Sequence, residues 1–66
     1  MHNLLNALKL KLEGEIAVAK ANVEVYLNSS VGIGEHPDIV EAVETQISKI
    51  AEAEDKLGII LDYFGE

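Results

Sequence analysis

Apolar residues recur at spacings of three and four along both halves of the chain. In the first half Leu5, Leu8, Leu12, Ile16, Ala19, Val23 and Tyr26 fall on one side of an α-helix. A second stripe, Leu10, Gly14, Ala17, Ala21 and Val25, is offset around the same helix and rich in small residues. Two stripes imply two neighbours. Gly14 costs about 1 kcal/mol relative to alanine in a helix interior, so the sequence predicts either a partner backbone close to it or a bend. Asn3 is the expected N-cap, because its side-chain oxygen can accept from a free backbone N–H of the first turn.

The breakers cluster in one segment, Asn28-Ser29-Ser30-Val31-Gly32-Ile33-Gly34-Glu35-His36-Pro37, and divide the chain into two arms. Pro37 suits the first helical position, where a missing N–H is no loss, and Asp38 and Glu41 complement the positive helix end. Val43, Ile47, Ile50, Glu54, Leu57, Leu61 and Phe64 then alternate four-three spacing over three heptads, interrupted by one acid. Ile39, Val40, Ala42, Ala51, Ala53, Ile59 and Ile60 widen this face beyond a bare coiled-coil seam, and Gly65 supplies a stop.

The expected fold is all-α: one domain over residues 1–66, with helix 1 over 3–28, a loop over 29–36 and helix 2 over 37–64. At about 1.5 Å per residue each arm is roughly 40 Å long, and the short connection makes the two antiparallel neighbours. A chain of 66 residues without cysteine has no disulfides to help it, and a self-contained core of this size rarely nets more than about 3–5 kcal/mol. Both arms are apolar over arcs wider than one neighbour can cover, so the hairpin is expected to pair with a second copy into a four-helix bundle. The interface candidates are Leu10, Gly14, Ala17, Ala21, Val25, Val43, Ile47, Ile50, Leu57, Leu61 and Phe64.

Charge narrows the partners. The five lysines, with no arginine, stand against 12 acids for a net charge of −7, which argues against direct nucleic-acid binding and against an anionic membrane surface. The imbalance is uneven. Residues 1–20 carry three lysines against Glu13 and Glu15, whereas residues 21–66 hold two lysines against ten acids. Asp38, Glu41, Glu44, Glu52, Asp55 and Asp62 make the outer side of helix 2 negative. Such a face is ordinarily just solvated. Its sharper reading is a surface that docks onto a basic protein or imitates the charge of DNA. Glu52 and Lys56 form an i,i+4 pair in the favourable order, worth about 0.2–0.5 kcal/mol.

Chemistry-bearing patterns are sparse. In the loop, Val31 and Ile33 alternate with Gly32 and Gly34. Either they fold over the bundle end while the glycines make the turn, or Val31, Ile33, Glu35 and His36 form a recognition tip. The Gly32-x-Gly34 pair lacks the preceding strand, third glycine and Lys-Ser/Thr of a phosphate loop. Glu35, His36 and Asp38 are too few for a stable metal site, so neither metal nor cofactor is expected. His36 is read as flanking the helix and His2 as a loose terminal residue.

Glu54 lies on the apolar stripe, either setting register or, more simply, at its wet edge. Thr45, Gln46 and Ser48 read as surface residues. Tyr26, Tyr63 and Phe64 are expected to plug the ends of the core, the last two beside Leu4, Leu5 and Leu8, with a binding hot spot at Tyr63-Phe64 as the alternative. Without a nucleophile paired to a base, no enzyme activity is expected. The Asn28-Ser29-Ser30 triplet matches a glycosylation sequon only formally, because nothing routes the chain to a secretory compartment.

Lys9 and Lys11 interrupt what would have to be the apolar core of an export signal, and no apolar run approaches the roughly 20 residues that cross a bilayer. The chain is therefore expected to be cytoplasmic or to reside in a virion. The virion enters through a resemblance. The segments Ala21-Asn22-Val23-Glu24-Val25-Tyr26-Leu27-Asn28, Val31-Gly32-Ile33-Gly34-Glu35-His36-Pro37-Asp38-Ile39 and Ile50-Ala51-Glu52-Ala53-Glu54-Asp55-Lys56-Leu57 resemble small uncharacterised proteins of tailed phages that infect marine bacteria, including cyanobacteria. The resemblance spans most of the chain, with its specificity in the loop segment. It implies a phage product acting in the infected cell or the particle, and it brings no catalytic residues. The expected function is a self-associating structural or accessory interaction module, with an acidic inhibitor or adaptor of a basic protein as the alternative.

Overall fold

A computed structural model describes residues 2–29 and 38–65. They form two α-helices, α1 (Asn3–Ser29) and α2 (Asp38–Phe64), each of 27 residues, packed along their length into a rod 48 × 14 × 13 Å. This is the expected antiparallel hairpin. Leu12 near the start of α1 packs with Ala53 and Ile60 toward the end of α2, while Asn22 meets Gln46 nearer the connection.

The seam follows the heptad pattern on α1. Leu12 and Ala19 are fully buried, and Leu5, Ile16, Val23 and Tyr26 are half-buried along the same side. Leu8 lies at the margin, sharing its place with the stem of Lys9. On α2 the seam is rotated by one residue from the expected stripe. Gln46, Ala53 and Ile60 are buried, whereas Ile47, Glu54 and Leu61 are exposed. The half-buried Val43, Ile50 and Leu57 belong to both stripes. Gln46 is thus not a surface residue. Its burial is compensated because its amide oxygen accepts from Asn22.

The helix ends also depart from expectation. His2 caps α1: its Nδ1 accepts from the Leu4 N–H at 3.0 Å, and its carbonyl accepts from the Asn6 N–H at 2.8 Å. The imidazole reaches back to the free first-turn donors as an asparagine oxygen would, which moves Asn3 into the helix and fixes a residue read as loose. Pro37 lies outside the described residues, and α2 is described from Asp38. At the other end the Gly65 N–H donates to the Leu61 carbonyl at 3.2 Å, and a Cβ on Gly65 would stand 2.6 Å from that oxygen. The stop therefore requires glycine by close approach. Tyr63 and Phe64 are 77% and 57% exposed and do not plug the core.

Candidate interaction surfaces

Among the described residues four apolar side chains are buried: Leu12, Ala19, Ala53 and Ile60. Twelve large hydrophobic residues remain exposed among the described positions, from Leu27 at the loop end to Leu4, Tyr63 and Phe64 at the other. The inversion follows from two helices meeting along one narrow seam while each carries a wider apolar arc.

Six of the twelve uncovered residues fall on two ordered faces. On α1, Leu4, Val18 and Val25 recur at multiples of seven and alternate with Ala7, Gly14 and Ala21, which are seven apart. Lys11 occupies the remaining place in the first set. On α2, Val40, Ile47, Glu54 and Leu61 are likewise seven apart, flanked by the shared Val43, Ile50 and Leu57. Each helix therefore has a second heptad face beside its hairpin seam.

The two faces lie on opposite sides of the rod. An open groove of about 710 Å³ runs along one side, lined on α1 by Lys11, Gly14, Val18 and Asn22 and on α2 by Thr45, Ser48, Lys49 and Glu52. At 100° per residue these α2 residues occupy the flank opposite to Val40, Ile47 and Leu61. One side of the hairpin thus presents the α1 face beside polar α2, and the other presents the α2 face beside Lys9, Glu13, Lys20 and Glu24 of α1.

Gly14 keeps the α1 face open. Nothing lies within 4 Å of where its Cβ would be, so within the hairpin no backbone approaches it. Beside it the Lys11 ammonium pairs with Glu15 at 2.7 Å, and that hydrogen bond, which outweighs an opposing desolvation and is joined by the charges of Lys11, Lys56 and Lys49, holds the Glu15 carboxyl below its ordinary value. The expected Glu52–Lys56 pair is present at 3.1 Å.

Among the interface candidates, Leu10, Gly14, Ala17, Ala21, Val25, Ile47, Leu61 and Phe64 are exposed, whereas Val43, Ile50 and Leu57 are half-buried in the hairpin itself. Asp38, Glu41, Glu44, Glu52 and Asp55 are all exposed, but they do not form one strip. Asp38, Glu41 and Glu52 project to the groove side, while Glu44 and Asp55 lie on the back of α2. Val31, Ile33, Glu35 and His36 lie outside the described residues.

Among the described residues no group of three or more His, Cys, Asp or Glu side chains could hold a metal ion, and no helix is long and apolar enough to cross a membrane. No protein-family model, curated protein or solved structure matches the chain.

Proposed function

We propose that this protein is a self-associating helical hairpin, a small structural or accessory interaction module that acts through its surfaces rather than by catalysis, with two hairpins packed as a four-helix unit as its smallest assembly. The observation that carries this reading is the exposure of twelve large hydrophobic side chains on a rod with four buried apolar residues. Leaving Leu, Ile and Val side chains in water forgoes about 1.5–3 kcal/mol for each that could be fully buried. The hairpin alone has little stability to forgo. A second copy supplies the missing surface, as helix pairs do in four-helix bundles. The resemblance to small phage proteins supplies the setting, an infected cell or a virion.

Sedimentation velocity from about 1 to 100 µM tests the reading, with the 7.2 kDa chain as the reference mass. The expected result is a concentration-dependent species of at least twice that mass whose formation persists at high salt, because apolar contact is not screened. A compact, fully helical monomer across the whole range overturns it. An assembly that dissolves on adding salt also overturns it, because such an assembly is held by charge pairs between copies and not by apolar contact.

A further inference from the structure

We infer that the α1 face of one hairpin receives the α2 face of a second copy, in a head-to-tail contact that repeats from copy to copy. This rests on the self-association proposed above and names the surfaces and symmetry by which it occurs.

Three observations select this occupant. The first is size. Carried over to the contact between copies, the antiparallel register that Asn22 and Gln46 set within the hairpin would pair Ala7 of one copy with Leu61 of the next, Gly14 with Glu54 and Ala21 with Ile47. Each small residue meets a large one. Gly14, which has empty space around it, meets the longest side chain of the α2 face.

The second is charge. Glu54 is the acid of the α2 face and Lys11, paired with Glu15 within the hairpin, the cation of the α1 face, three residues or about 4.5 Å from Gly14. Helix α1 carries three lysines and three glutamates, whereas α2 carries two lysines against seven acids. Packing α2 on α2 brings like charge together, and packing α1 on α1 leaves Val40, Ile47 and Leu61 in water.

The third is placement. Because the faces lie on opposite sides of the rod, one two-fold contact cannot cover both. A whole flank of 48 by 14 Å projects roughly 700 Å², an upper bound on the contact that lies just under the ~800 Å² per partner of a standard interface. A heterologous contact leaves an unused α1 face at one end of the assembly and an unused α2 face at the other, so growth continues past two copies unless the rotation closes a ring.

The chain has no cysteine, which permits a direct test by mixing two single variants, Ala21→Cys and Ile47→Cys, under oxidising conditions. The expected product is a disulfide-linked heterodimer at least tenfold in excess over either homodimer. Separately, Gly14→Gln fills the α1 face, and Ile47→Gln with Leu61→Gln removes the α2 knobs, all at exposed positions. Each variant alone is expected to lose association at least tenfold while keeping its helical circular dichroism, and an equimolar mixture is expected to form a 1:1 dimer that grows no further.

Predominant homodimer cross-links, or the absence of cross-links between the two cysteine variants while the wild-type chain self-associates, overturns the head-to-tail contact and leaves self-association standing. A monomeric wild-type chain removes the self-association as well. Should the glutamine variants fail to fold, the cysteine pair, which leaves both faces largely intact, decides alone.

Discussion

Asn22 Nδ2 donates to Gln46 Oε1 at 3.1 Å, tying the loop-side half of α1 to a buried position on α2. The bond is asymmetric in consequence. Asn22 is exposed and can turn to water, whereas Gln46 is only 9% exposed. Asn22→Ala is therefore expected to cost about 1–2 kcal/mol by stranding that oxygen, and Gln46→Leu, which removes the buried polar group, less than about 1 kcal/mol or nothing. Urea unfolding followed by circular dichroism orders the two. The reverse order would mean that the bond contributes no net stability.

Leu12 is 1% exposed and packs against Ala53 and Ile60, with Ile16 and Leu57 alongside. Leu12→Ala should cost about 2–5 kcal/mol, most of the stability available to a fold of this size. Loss of most of the helical signal at 25 °C is the expected readout. Leu10→Ala, at a 67% exposed position, should leave the helicity of the isolated hairpin nearly unchanged.

Glu15 offers a pH test. Its carboxyl titrates below its ordinary value, first because Lys11 donates to it, so its folded pKa lies under its unfolded one. The sign follows. The contribution is fully present above the unfolded pKa and is lost as the pH falls through the lowered folded value. A carboxyl-resolved NMR titration should show the lowered pKa, and Lys11→Ala should move it back up. A titration indifferent to that substitution rules out the ion pair in solution.

The His2 cap predicts that His2→Ala frays the first turn of α1 at a cost of about 0.5 kcal/mol, while His2→Asp retains it. Amide exchange of Leu4 is the sensitive probe, since its N–H is the donor that loses its acceptor. Equal protection in all three chains would show that the cap contributes nothing.

The seam on α1 was readable because Leu12, Ile16, Ala19 and Val23 recur where the flanking positions Glu13, Lys20 and Glu24 are charged, so one rotation of the helix is better than its neighbours. On α2 two heptads share Val43, Ile50 and Leu57 and differ by one residue, Ile47, Glu54 and Leu61 against Gln46, Ala53 and Ile60. Hydrophobicity favours the first, and it was the one expected. The His2 cap and the burial of Gln46 went unread for a related reason, because each depends on whether a polar group finds a partner in space.

The order of residues alone thus determined two helices, their antiparallel pairing, the α1 seam and the surplus of apolar surface, since these follow from local periodicity and loop length. Which of the two faces α2 turns inward was decided only by the tertiary structure. Ala53 lets Leu12 approach, and Gln46 meets Asn22, while the alternative seam would bury the carboxylate of Glu54. Such a choice is a property of two surfaces in contact, and neither helix carries it by itself.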